Sequence, residues 1–444
     1  MKPLHWFAFA LSLIAILYTA SWNLRQKTRT RVITSDAEGY YQYLPAWFIH
    51  QDWAEQPYAF QLPNRKNFNK YTCGVAILQM PFFGAACLAE TVFGLDGEGG
   101  KGSVYQEAIA LSSAVYAVLG LCLLLSLLLQ HLRKSAAWAA AAVLLFGTNL
   151  FYYCTGEPGM SHAYSFFLIA AVVRLTPGWW ELVNPWQTLG LAWAVALAAL
   201  VRPTNAVVVL FPLLAGIASL HQLALRLKSL AEKPLHLLLI LSALLAWAPQ
   251  VYYWHLITGK WWVYSYAYSY KHEAFIYWSS PRLVQTLLGF QSGWLVYAPL
   301  MVLSFLGWRA LRQSSLDSLA LPAATCFLLT WYLCSSWWAY TFSASFGYRA
   351  LCEHGAYLIL PLSAWLNRHL LVGSRWRSIA LTAMLVWGCK GSVTMAWHYR
   401  APWDGPGFPY GRFKQELKRA YRIPLPKKYV PYEGNAPWPS TTRP

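Results

Sequence analysis

The sequence predicts an all-α integral membrane protein, a multi-span bundle of about eleven transmembrane helices with further short helices lying outside the membrane. Three observations predict it. Only 12% of the 444 residues are charged, about half the share usual in soluble domains. Hydrophobic residues make up 57% and mean hydropathy is +0.33. The apolar residues fall in runs near the roughly 20 that one crossing needs, and in lipid a helix satisfies its own backbone hydrogen bonds.

The first predicted span is about 4–20. Lys2 precedes it and no small-x-small cleavage pattern leads into a soluble domain, so it reads as a retained helix rather than a leader. A first extracytoplasmic loop covers 21–103, within which 71–93 is apolar but carries Gly74, Pro81 and Gly84, so it either crosses or lies in the interface. Spans follow at about 106–129 and 135–153, with a shorter segment at 162–175. Two short segments, 188–201 and 206–220, flank Arg202-Pro203-Thr204-Asn205. Pro203 lacks an N–H and clashes with the preceding turn, which leaves two short spans or a re-entrant pair. Further spans are 235–257, 284–308, 319–333, 351–366 and 379–397. The chain thus divides into a transmembrane domain, 1–397, and a tail rich in Pro, Arg and aromatics, 398–444.

The net charge of +18 sits in loops between apolar runs. It points to anionic lipid head groups or a lipid-linked phosphate as partners, and no nucleic-acid motif accompanies it. Loops holding Arg133/Lys134, Arg226/Lys228/Lys233, Arg309/Arg312 and Arg368/Arg375/Arg377 carry ten bases. The opposite short loops carry five: Arg202, Lys260, Lys271, Arg282 and Arg349. The first set marks the cytoplasmic face of a multi-pass protein in the inner (plasma) membrane. Arg25, Lys27, Arg29 and Arg31 then fall outside, against that rule, in a long loop where the rule weighs least. The eight cysteines include no CxxC pair, so neither a disulfide framework nor a zinc site is indicated.

With this orientation the outer loops collect the chemistry expected of a site. Asp36 is either a general base or a helix N-cap. Glu38 is a second carboxylate on the same loop or a solvated one, and Glu157, beside Pro158, is a functional acid or an interfacial turn residue. Lys70 and Arg349 are candidate phosphate ligands, against the plainer reading of side chains reaching for head groups. Arg202 lies between two apolar segments, where a charge costs about 2.5–3.5 kcal/mol on insertion scales, so it requires an anion or water. Arg282 is a further cation on this face. Tyr40, Tyr41, His162, His272, Trp337, Trp338 and Glu353 are candidate contacts to sugar or lipid. No ligand pair such as HExxH accompanies the histidines, so no metal ligand and no cofactor is assigned, and a divalent metal has no support.

This layout resembles the GT-C class of membrane glycosyltransferases, which includes the protein O-mannosyltransferases and the aminoarabinose transferase of lipid A. The residues that carry the resemblance are the early acid Asp36, the segment Lys70-Tyr71-Thr72-Cys73-Gly74, and the stretch from Trp337 to Glu353, WWAYTFSASFGYRALCE. It implies transfer of a sugar from a polyprenyl-phosphate-linked donor to a lipid, glycan or protein acceptor on the extracytoplasmic face, with inversion. It further implies Asp36 as base, Lys70 on the carrier phosphate, Glu157 as the acid of the second outer loop, and either Arg282 or Arg349 as a second phosphate ligand. The family's prolines after the lysine are replaced here by Tyr71-Thr72, and the acid linked to metal in one branch is Asn69. The rival readings are a transporter or flippase for a lipid-linked intermediate, against which stand the lack of an internal repeat and the concentration of acids in loops, and an envelope ligase or acyltransferase.

Overall fold

A computed structural model describes residues 32–54, 56–62, 64–181, 184–268, 273–342, 345–399 and 410–422. The predicted span 4–20, the bases at 25–31, His272 and most of the tail lie outside these residues. Among the described residues the only strands are the two-residue pair β1 (Phe60–Gln61) and β2 (Asn67–Phe68), antiparallel with Phe60 opposite Phe68. Everything else ordered is helical.

Two short helices open the described chain, α1 (Asp36–Tyr41) and α2 (Tyr43–Phe48). After the hairpin comes α3 (Gly74–Phe93), whose 20 apolar residues are long enough to cross despite Pro81. α4 (Ser103–His131) and α5 (Lys134–Phe146) follow. The predicted single span 135–153 instead breaks at Gly147, and α6 (Leu150–Thr155) is separate. At the break the Thr148 hydroxyl donates to the Leu144 carbonyl and accepts from the Leu150 N–H, a local alternative to the helical ladder. α7 (His162–Leu175) has the bounds its apolar run predicts. α8 (Pro185–Val201) starts where the Asn184 side chain accepts from the Trp186 and Gln187 N–H groups, an N-cap. It ends at Arg202-Pro203 as the proline requires, and a 3-10 turn leads into α9 (Leu210–Leu214).

α10 (Leu220–Ala231) is an amphipathic helix with no buried side chain, where apolar periodicity gives only a basic loop. α11 (Pro234–Ser242) and α12 (Ala248–Thr258) continue each other across a 3-10 turn. In place of a span at 284–308 the chain makes α13 (Leu283–Leu288), α14 (Trp294–Tyr297), α15 (Val302–Leu306) and α16 (Trp308–Arg312). Gly289, Gly293 and Pro299 punctuate that stretch, each a helix breaker. α17 (Ala320–Ser335), α18 (Gly355–His369) and α19 (Arg375–His398) complete the bundle, and α20 (Tyr410–Ala420) forms within the tail.

Among the described residues five helical stretches are long and apolar enough to cross a membrane: 74–93, 98–131, 234–258, 317–335 and 375–398; four shorter apolar helices lie among them. The 98–131 stretch buries 61% of its most apolar window and the 375–398 stretch only 17%, so the first is central and the second faces lipid. Leu, Ala and aromatic side chains of α4, α5, α7, α17 and α18 form the main core, and α2, α3 and α12 pack a second one around Tyr43 and Tyr253. One end of the bundle gathers the basic loops: Arg133 N–H donates to Asn367 Oδ1 at 2.9 Å and Arg368 Nη1 to Gln313 Oε1 at 2.7 Å. The opposite end gathers α1, the 69–73 turn, the 155–162 turn, Arg202 and the 335–354 segment.

Candidate active site

Asp36 is the first residue of α1. Ser35, not Asp36, holds the cap position and makes no side-chain cap bond, so the N-cap reading of Asp36 does not hold. Its Oδ1 instead accepts from the Tyr71 hydroxyl at 2.6 Å, and its Oδ2 pairs with Arg349 Nη2 at 3.1 Å. Tyr71 reaches it because Gly39, one turn along α1, has no Cβ: one there would stand 2.2 Å from the Tyr71 ring. Burial by itself would raise the Asp36 carboxyl. The Arg349 charge, the Tyr71 hydrogen bond and the Lys70 charge outweigh that and hold it below its ordinary 3.8.

Lys70 is buried, and its Nζ donates to Glu273 Oε1 at 2.9 Å and Oε2 at 3.3 Å. The ammonium also sits over the rings of Phe60, Tyr71 and Tyr266, 5.3–5.6 Å from their centroids, where their negative faces attract it. The turn is fixed by its neighbours. Asn69 donates from Nδ2 to the Gly39 carbonyl and to Gln56 Oε1, both at 2.7 Å. The Ser265 hydroxyl donates to the Lys70 carbonyl at 2.7 Å and the Tyr43 hydroxyl to that of Tyr71 at 2.6 Å. Asn69 is therefore committed to holding this turn against α1.

A second charged group lies in the same end of the bundle. Glu353, with no exposed surface, accepts from Arg202 Nη1 on Oε1 at 2.8 Å, and its Oε2 is 2.8 Å from His162 Nδ1. Each carboxylate oxygen of Glu353 thus has a partner, and Glu353 orders Arg202 and the 2% exposed His162. Arg202, 16% exposed at its side chain, has found the anion its position demanded.

Glu157 accepts from the Tyr152 hydroxyl at 2.8 Å, and its charge acts on Arg349. Tyr40 lies inside the cluster, its ring 4.7 Å from that of Tyr71. Trp337 reaches the rim, 5.6 Å from Tyr266. The structure thus brings together Asp36, Lys70, Glu157, Arg202, Arg349, Glu353, His162, Tyr40 and Trp337. Others stand apart. Glu38 pairs with Lys101 at 2.6 Å, partly exposed. Tyr41 turns the other way and donates to the Gly100 carbonyl at 2.5 Å. Arg282 stacks on Tyr277 and Tyr340, 4.5 and 6.0 Å from their ring centroids. Trp338 is tied through its backbone N–H to the Ala274 carbonyl. Tyr71, Tyr266 and Glu273 are site residues that the sequence did not single out. An acid in an aromatic-rich loop was the available signal for Glu273, and nothing marked Tyr71 beyond its place after Lys70. Among the described residues no three His, Cys, Asp or Glu side chains gather as a metal-ligand group.

Acids and cations from separated turns thus collect at one end of a many-helix bundle. Among solved structures the chain is similar to ArnT from Cupriavidus metallidurans bound to undecaprenyl phosphate, with a TM-score of 0.55 at 14% identity, over 95% of this chain and 70% of that one. No family model matches the sequence, and no curated protein does.

Proposed function

We propose that this protein is a membrane glycosyltransferase that takes a sugar from a polyprenyl-phosphate-linked donor and passes it to an acceptor hydroxyl on the extracytoplasmic face. One observation carries the reading: Asp36, Arg349 and Lys70 form one connected charge cluster, in a fold shared with a protein solved with undecaprenyl phosphate bound. The proposed bundle treats 1–397 as one membrane domain of about eleven crossings, with 203–214 and 294–312 each a broken span.

In the resting arrangement three of the four candidate phosphate ligands are paired with a carboxylate: Arg349 with Asp36, Lys70 with Glu273 and Arg202 with Glu353. A donor phosphate entering the cluster competes for Arg349 and Lys70. As Arg349 turns to the phosphate, Asp36 loses the charge that most depresses its basicity and becomes a better proton acceptor. The acceptor oxygen then attacks C1 of the sugar, its proton passes to Asp36, and the C1–O bond to the phosphate breaks. Attack from the side opposite the phosphate inverts C1. Lys70, Arg349 and Arg202 stabilise the charge that grows on the leaving phosphate. Glu157, joined to Arg349 electrostatically, holds that guanidinium near both partners.

The test is a transfer assay in membranes with a panel of polyprenyl-phosphate sugars. Asp36→Asn keeps the shape of the side chain and removes its basicity. The expected outcome is loss of transfer with expression and carrier binding retained; near-native turnover would overturn the assignment of the base.

A further inference from the structure

Between α5 and α19 runs a groove of about 420 Å³ that plays no part in the reaction. The small side chains Ala139 and Ala142 open it on the α5 side, and Leu385, Val386 and Val393 wall it on α19. Its only charged lining residue is Lys390. Lys390 is exposed on the helix that faces lipid, lies over the Trp387 ring at 5.5 Å, and makes no ion pair among the described residues. An unpaired ammonium in that setting costs a few kcal/mol unless an anion meets it.

Basic α20 packs against the same end of α19. The Tyr421 hydroxyl lies where a Cβ on Gly391 would come within 2.7 Å, and Arg419 Nη2 donates to the His398 carbonyl at 2.9 Å. Glu416 is buried on the inner face of α20. Lys414 and Lys418, spaced by four and so aligned along one side of the helix, lie on the opposite face without ion pairs of their own among the described residues. A hydrocarbon groove, a cation at its edge and a basic helix packed at the same end of α19 complement one amphiphile: an acyl chain with an anionic head group.

We propose that this groove is a site for an anionic phospholipid of the surrounding bilayer, its chain between α5 and α19 and its phosphate on Lys390. The inference does not rest on glycosyl transfer. None of the groove residues belongs to the Asp36 cluster, so the site stands or falls separately.

The full-length protein, delipidated in detergent, is titrated with phosphatidylglycerol and with phosphatidylcholine, and retention is read by native mass spectrometry with melting temperature alongside. Wild type is expected to prefer phosphatidylglycerol. Lys390→Leu, which places an apolar side chain on a lipid-facing helix and so keeps the fold, is expected to lower that preference roughly fivefold, the equivalent of about 1 kcal/mol per cation at an anionic surface. Ala142→Phe fills the groove and is expected to reduce retention of the lipid with Lys390 intact. An unchanged preference in Lys390→Leu overturns the proposal. So does displacement of phosphatidylglycerol by equimolar undecaprenyl phosphate, which would make the groove a carrier site. Crosslinking of two copies through cysteines placed at Val386 would also overturn it, making the face a contact between protomers.

Discussion

Glu353 is a carboxylate with no exposed surface, and its ionisation depends on two residues far away in sequence. Burial pushes its carboxyl up; Arg202 and then His162 more than reverse this and bring it down to about 2. A group whose folded value is depressed contributes stability above its unfolded value and loses it as pH falls through the folded value. Glu353→Gln leaves Arg202 without its anion, and breaking a buried pair costs about 3–5 kcal/mol. The melting temperature of wild type should therefore exceed that of Glu353→Gln by a constant margin above the ordinary 4.5 of the carboxyl, and the margin should shrink as pH falls towards about 2. Melting curves across this range in detergent check it; a margin indifferent to pH would mean that Glu353 acts by packing alone. Sequence reasoning established that Arg202 needs an anion or water, from the cost of its position, but not which partner. Glu353 is 151 residues further along, and no local pattern links them. For Asp36 the chain left base and N-cap open; the structure gives the cap position to Ser35, and the base belongs to the proposed mechanism.

At the scale of elements, the Lys70 turn and the Arg202 break are pressed together at one point. A Cβ on Gly74, the first residue of α3, would lie 2.5 Å from the Leu200 carbonyl carbon and the Val201 nitrogen at the end of α8. Backbone cannot yield as a flexible side chain can, so Gly74→Ala must move one helix end against the other. The expected cost is about 1–3 kcal/mol, typical of overpacking. A raised KM for the donor should accompany it, because Lys70 and Arg202 separate. Gly84→Ala is the control: the same helix has open space there, and Ala should be neutral or stabilising by up to about 1 kcal/mol. Thermal melts and donor titrations of both variants decide it; equal effects at the two positions would remove Gly74 from the site's framework. Apolar runs made most helices legible, and α7 to both its ends, because a long lipid-length helix needs little beyond hydrophobicity. They failed where other forces act. The 284–308 run hides Gly289, Gly293 and Pro299 inside an apolar composition, and α10 mixes leucines with bases, so its periodicity is visible only as amphipathicity.

On the scale of the whole molecule, the proposed phosphate site joins residues around 36, 70, 202 and 349, so its occupant would clamp α1, α3, α8 and the turn before α18 to one another. A ligand that binds only the folded chain stabilises it by about 2.7 kcal/mol at a hundredfold excess over Kd. Undecaprenyl phosphate should accordingly raise the melting temperature of the wild type. The paired change Arg202→Gln with Glu353→Gln removes one proposed ligand and leaves no buried charge unpaired. For Lys70, whose loss alone leaves Glu273 buried without its cation, the paired change Lys70→Gln with Glu273→Gln keeps the interior neutral. Both variants should fold and show a smaller shift. Arg282→Gln should show the full wild-type shift, since that guanidinium stacks on Tyr277, apart from the cluster. This set also tests Arg282, one of the two arginines, with Arg349, that family likeness leaves open: a shift lost in Arg282→Gln and kept in the Arg202 variant would move the phosphate away from Asp36, and with it the base away from the acceptor.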